Sequence, residues 1–192
     1  INEENKIDPL INMAIIHYQF ETIHPFYDGN GRAGRIINIL YIILKGLLDI
    51  PILYLSGYII KNKSDYYRLL QEVRTKSNWQ EWILYMLDGV EKTADKTILL
   101  VKDIELLMRK VKINIRGDLP KIYSKDLVEV LFMYPYTKID FLVTKLGIHR
   151  DTASRYLKEI EKLGILKSIK VKNSKYFINI EFFERLKKGL LF

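Results

Sequence analysis

Apolar residues change their spacing several times along this chain. Between Leu10 and Ile23 they stand nearly all round a helical wheel: Leu10, Ile11, Met13, Ala14, Ile15, Ile16, Tyr18, Phe20 and Ile23. A helix that is apolar on every side is a buried one. Asp8 and Pro9 ahead of it read as an N-cap and a proline at the first helical position. His17, inside the run, reads as a hydrogen-bonded core residue. The pattern breaks at His24-Pro25. Helix resumes by Gly31 or Arg32 and continues to Lys45, with Gly46 as its stop. Ser56 and Ser64 read as caps of helices over 57–61 and 65–75. Asn78 reads as the cap of a long helix from 79 towards 112, with Gly89 as a bending point. Three more helical patterns follow, over 125–134 with Ser124 as cap, over 137–146 ending at Gly147, and over 149–163 ending at Gly164. From Ile165 to Ile178 the period becomes two, which predicts a hairpin turning near Asn173-Ser174. A short amphipathic helix over 181–190 closes the chain.

The 192 residues, 48% hydrophobic and 28% charged, have the balance of a globular chain. There is no cysteine, which excludes disulfides, thiolate metal sites and a cysteine nucleophile. That absence fits a reducing compartment, and a cytoplasmic location is the expectation. The longest uncharged apolar runs, 36–44 and 50–60, are too short to span a bilayer, and no secretory signal is visible. The chain starts at Ile1 and reads as a fragment. Its charge is lopsided: residues 1–120 hold 16 Lys and Arg against 15 Asp and Glu, whereas 121–192 hold 15 against 8. This asymmetry fits two domains, the second meeting a polyanion or carrying a lysine-rich solvated surface. The turn-forming stretch 115–120 is the linker candidate, giving domains over 1–115 and 121–192.

The break after the first helix carries the chemistry. His24-Pro-Phe-Tyr-Asp-Gly-Asn-Gly-Arg-Ala-Gly-Arg35 collects an imidazole, a carboxylate, two glycines around an amide, and two arginines. The helix that follows presents unpaired backbone amides and a partial positive charge, which together favour an anion. Gly29 and Gly31 let a phosphate approach the backbone closely, and Asn30 adds an amide donor. Arg32 and Arg35, three apart, present guanidinium forks suited to phosphate oxygens. Asp28 can hold a magnesium ion that also grips phosphates. Imidazole ordinarily titrates near neutrality, so His24 can take a proton from an attacking hydroxyl. Asp-Gly and Asn-Gly are also common in hairpin turns, but the flanking segments here are helical.

The run resembles the active-site motif of the Fic family, H-x-F-x-(D/E)-G-N-G-R-x-x-R, at all eight defined positions. At about 5% usage per residue type, such agreement arises by chance on the order of once in 10^10 starts. Leu53-Tyr-Leu-Ser, Asn62, Tyr66-Tyr67, Val73-Arg74 and Trp79 with Trp82 resemble a subgroup carrying a C-terminal winged helix. The resemblance implies a mainly α fold, with a Fic-type helical bundle followed by a small winged-helix (α+β) domain. It implies that His24 is the general base on a Tyr, Thr or Ser hydroxyl of a protein target. It makes Phe26 a buried anchor of the loop and Asp28 the magnesium ligand. Gly29, Asn30, Gly31, Arg32, Ala33, Gly34 and Arg35 would line ATP, with Tyr66 at the nucleoside. The implied reaction is transfer of AMP from ATP, with Mg2+, to a protein hydroxyl, the chain's own included.

Two departures from the family pattern stand out. Arg74 occupies the place where another branch has an adenine-contacting Asn. The inhibitory helix found in many members is absent, and it is expected, with the target-aligning flap, upstream of Ile1.

The last third resembles a winged helix-turn-helix. His149, Arg150, Thr152, Ser154, Arg155 and Lys158 would form the exposed recognition face, and Lys167, Lys170, Lys172 and Lys175 the wing. Duplex DNA is therefore an expected partner, alongside the protein substrate; a membrane is not, and the resemblance raises a homodimer. Two other functions stay open. One is a DNA-binding regulator whose Fic core senses nucleotide. The other is a Fic enzyme that removes AMP or uses another nucleotide donor.

Overall fold

A computed structural model describes residues 7–190. The chain divides into two compact units, the first extending to Thr97 and the second starting at Ile98. Helices dominate, and the described residues include no helix long and apolar enough to cross a membrane.

The first unit begins with α1 (Pro9–Ile23). Its N-cap is Asp8, whose carboxylate accepts the Leu10 N–H at 2.8 Å. Then come α2 (Asn30–Leu44), α3 (Leu55–Lys61), α4 (Lys63–Lys76) and the start of α5 (Trp79–Asp118). Gly46 takes the left-handed conformation (φ 70°), and its N–H and that of Leu47 close on Ile43 and Ile42, which ends α2. Ser56 and Ser64 are not caps. Both helices start two residues earlier, at Leu55 and Lys63, and the flanking residues Tyr54 and Asn62 make no side-chain capping bond. Packing of Leu55, Ile59 and Tyr66 into the core outweighs the weak local preference of serine for helix ends.

Trp82 lies at the centre of this core. It is fully buried, and its indole N–H donates to the Ala14 carbonyl of α1 at 2.9 Å. Gly89 proves to be a packing residue: a Cβ there would stand 2.8 Å from the Tyr58 ring, so its absence lets that ring lie against α5.

The second unit starts within α5. The helix runs unbroken through residues 115–118, which the sequence suggested as a linker. Leu107, Val111 and Ile115 are buried in the second core, and that packing holds the segment helical. Then follow α6 (Lys125–Met133), β1 (Tyr136–Thr137), α7 (Ile139–Leu146), α8 (Arg150–Lys162), β2 (Leu166–Val171), β3 (Ser174–Asn179) and α9 (Ile180–Leu190). Ser124 caps α6 by accepting the Leu127 N–H at 3.0 Å. The antiparallel sheet has the order β1-β3-β2, with Leu166 opposite Asn179 and Val171 opposite Ser174. The hairpin therefore turns on Lys172-Asn173, one residue earlier than expected, with Lys172 at φ 53°. β1 was not legible in the pattern, because two residues show no alternation; tertiary pairing of Tyr136 with Ile178 and Thr137 with Phe177 makes it a strand. Buried Asn179 ties the sheet to the helices, donating to the Leu131 carbonyl (3.2 Å) and accepting the Phe182 N–H (3.3 Å).

Candidate functional site

The loop between α1 and α2 holds the motif, and the ends of both helices shape it. α1 stops at His24, which adopts the left-handed conformation (φ 52°, ψ 56°) with its N–H on the Phe20 carbonyl at 3.0 Å. A non-glycine residue there costs about 1–2 kcal/mol, and the following Pro25 disfavours helical backbone at His24 as well. The strain brings the imidazole out into solvent. Its Nδ1 lies 3.4 Å from the Glu21 carbonyl. With the proton on Nδ1 donated to that oxygen, Nε2 keeps its lone pair free.

Gly29 begins α2 at φ 85°, a conformation glycine adopts without a Cβ penalty. No side chain caps the helix. Its first helical bond runs from the Ala33 N–H to the Gly29 carbonyl, which leaves the N–H groups of Asn30, Gly31 and Arg32 for an anion. Arg32 and Asp28 are exposed on the rim and pair at 3.4 Å. Arg35 is partly buried one turn further on, its Nη1 lying 3.2 Å from where a Cβ of Gly31 would be. Ala33 is half-buried behind the mouth. Gly34 is buried under it at the crossing with α1: a Cβ would meet Glu21 Oε1 at 2.6 Å and the rings of His17 and Phe20 at 3.2 Å.

Asn30 and Phe26 are not placed as expected. Asn30 is 2% exposed, and its side chain is spent on the loop: Oδ1 accepts the Phe26 N–H at 2.9 Å, and Nδ2 donates to the Phe26 carbonyl at 2.6 Å. The Phe26 ring is not the buried anchor; it is 54% exposed and touches Phe20. Asn30 anchors the loop through the main chain of Phe26, satisfying two backbone groups at once.

Beneath the loop lies a buried polar chain around His17, the hydrogen-bonded core residue expected from the sequence, with partners that the sequence did not suggest. His17 is fully buried between α2 and α4, and Asn38 Nδ2 donates to its Nδ1 at 3.0 Å. Its Nε2 faces the Tyr66 hydroxyl at 2.9 Å. Burial pushes the His17 imidazole down to about 4, so it is neutral at pH 7. Tyr66 is thus 5% exposed and committed to His17, and burial raises its phenol well above the ordinary range. Tyr67, next to it, is exposed. A cleft of about 230 Å³ lies between α1 and α4, lined by Glu21, Thr22, Tyr67, Gln71 and Arg74 among others.

Among the described residues no group of three or more His, Asp or Glu side chains could enclose a metal ion. Asp28, its side chain 87% exposed beside the free amides, suits a hard cation that draws its other ligands from water and phosphate.

A family model described as Fic/DOC matches residues 1–42, which include the whole motif. The model of the C-terminal domain of SoFic-like protein adenylyltransferases matches residues 107–182. Over those two stretches the chain is similar to Fic proteins. It is 36% identical over 72 residues to a probable protein adenylyltransferase of Aquifex aeolicus, covering 38% of this chain and 20% of that one. It is 30% identical over 107 residues to protein adenylyltransferase Fic of Drosophila grimshawi, covering 53% and 20%. With protein adenylyltransferase fic-1 of Caenorhabditis elegans it shares 28% over 125 residues, covering 59% and 23%. The chain thus spans about a fifth of the length of the curated relatives it matches. A crystal structure of a Fic family protein from Desulfovibrio desulfuricans aligns over 91% of this chain and 50% of that one, with 21% identity and a TM-score of 0.46. In the motif loop His24, Asp28 and Arg32 are exposed, and Gly29, Gly31 and Arg35 are partly so.

Proposed function

We propose that this chain transfers AMP from ATP to hydroxyl side chains of a protein target, itself included. One observation carries the reading: a strained, solvent-facing imidazole, oriented by a backbone carbonyl, stands beside an uncapped helix N-terminus flanked by two guanidiniums. The relatives' names as protein adenylyltransferases support it. In this reading Nε2 of His24 removes the proton of the target hydroxyl as its oxygen forms a bond to the α-phosphorus. The bond from that phosphorus to the bridging oxygen breaks, and pyrophosphate leaves. The amides of Asn30, Gly31 and Arg32, with the arginines, hold the phosphates and stabilise charge as it builds. Magnesium, when bound, would be held by Asp28 and would neutralise phosphate charge. Gly29 gives the backbone its turn, and Ala33 and Gly34 form the floor. Tyr66 supports the floor through His17, and Tyr67 offers an aromatic face to the nucleoside. We place the catalytic core in the unit that ends at Thr97 and the C-terminal module in the unit that starts at Ile98, ahead of the boundary expected at 115–121, in a cytoplasmic protein able to act as a homodimer.

Incubation with ATP labelled in the α-phosphate tests this. Self-labelling that falls at least about a hundredfold in His24→Ala is the expected result, in the range general-base loss produces. Nucleotide binding with no transfer at all would overturn it in favour of a nucleotide sensor. The cradle grips phosphates and not the base, so removal of AMP or use of another donor is distinguished by mass spectrometry of targets incubated with each nucleotide.

A second reading rests on the C-terminal module. α7, the Gly147 turn, α8 and the β2–β3 hairpin fit a winged helix. Arg150, Arg155 and Lys158 are exposed on α8, and Lys167, Lys170, Lys172 and Lys175 on the hairpin. Duplex DNA is the partner this surface suits. Reversing the charges of Arg155 and Lys158 should weaken binding and flatten its salt dependence; binding by the native chain that ignores salt would exclude it.

A further inference from the structure

Two buried polar atoms beside the cradle lack a hydrogen-bond partner: Oε1 of Glu21 and Nε of Arg35. One is an acceptor on a carboxyl, the other a donor on a guanidinium, and they come from facing helices, α1 and α2. The glycines of α2 locate both. A Cβ on Gly34 would stand 2.6 Å from Glu21 Oε1, and a Cβ on Gly31 would stand 3.9 Å from that oxygen and 3.2 Å from Arg35 Nη1. The carboxyl and the guanidinium therefore share the surface of a single turn, the one whose N–H groups open towards the anion. Buried donors and acceptors without partners are rare in folded chains; the two groups form no ion pair here, yet the charge of Arg35 is felt at the carboxyl.

We infer that Glu21 is a positioning residue: when phosphates are bound its carboxylate closes on the Nε edge of Arg35, unpaired in the ligand-free chain, and so turns the terminal nitrogens of that arginine towards them. An arginine held at Nε still offers Nη1 and Nη2 to phosphate oxygens, which lysine could not do. The same residue orients the base, because the Glu21 carbonyl faces Nδ1 of His24. One position at the end of α1 thus sets both the proton acceptor, through its main chain, and the phosphate grip, through its side chain. Burial raises the Glu21 carboxyl, and Arg35 and His24 oppose that rise. The groups facing it are His17 on α1, His24 just past its end, Arg35 on α2, and Tyr66, Tyr67 and Arg74 on α4.

The inference takes the identity of the anion from the adenylyl-transfer reading, and its test separates the two. In the ligand-free chain, carbon-13 NMR follows the Glu21 carboxyl through a pH titration. Arg35→Ala should raise its midpoint by about one unit, as loss of a nearby opposite charge does. An unmoved midpoint overturns the inference whether or not ATP binds, and it decides alone should Glu21→Gln fail to fold. In self-labelling assays Glu21→Gln should raise KM for ATP about tenfold with kcat nearly unchanged, the scale of losing a residue that orients a binding group. In an Arg35→Ala background it should do nothing further; additive losses would refute the coupling. A native chain that transfers nothing would sink the adenylyl-transfer reading, while the titration midpoint would still decide the role of Glu21.

Discussion

The two units of this chain bury polar groups in different ways, and the difference marks what each is built for. In the first, His17, Asn30 and Asn38 are buried where α1 crosses α2, together with single orphaned atoms of Glu21 and Arg35. In the second, Asn179 is buried to join sheet to helices, and the lysines of the hairpin stay in water. Burying a polar group costs free energy unless its bonds are made. The first unit accepts that cost directly under its open loop, where rigid placement serves chemistry. The second buries Thr137 and Asn179 in its sheet and one nitrogen of Arg185, and keeps its hairpin lysines outside, where they serve long-range attraction.

Each side of this contrast can be broken. The largest expected effect is at His17. The folded imidazole is held near 4 and the unfolded one near 6.5. The unfolded chain therefore takes up its proton first, and stability is lost as pH falls from about 6.5 to about 4, by on the order of 3 kcal/mol. Denaturant midpoints against pH should show this slope in the native chain and lack it in His17→Asn; equal slopes would remove the buried histidine from the account. Next is Asn30→Ala, which strands two backbone groups of Phe26 and should cost about 2 kcal/mol, with self-labelling falling further than stability explains. Ser124→Ala, the cap of α6 in the second unit, should cost about 1 kcal/mol and leave labelling untouched. Smallest is Lys170→Glu with Lys172→Glu: unfolding should move by less than about 0.5 kcal/mol. Affinity for duplex DNA should fall in the same variant. A large stability change there would mean that the exposed charge is structural.

Much of this could be read before any coordinates. The apolar wheel of α1, the cap at Ser124, the alternation of the hairpin and the contiguous run from His24 to Arg35 are local signals, and each reappears in the fold. The polar chain from Asn38 through His17 to Tyr66 was not readable, since its partners lie 21 and 49 residues apart. Asn30 looked like a ligand donor, because nothing in a string of residues shows a side chain folding back onto Phe26. Residues 115–118 looked like a linker, because Arg-Gly-Asp favours turns until Ile115 is packed in a core.

From the sequence alone came the periods of the helices, the hairpin, the imbalance of charge and the identity of the loop residues, because each is carried by neighbours along the chain. The fold alone decided which of those residues face solvent and which are spent holding the loop. It also decided that Gly34 lets α1 come close enough for Glu21 to lie beside Arg35. Such contacts join distant segments, and their energies exist only once the helices have packed.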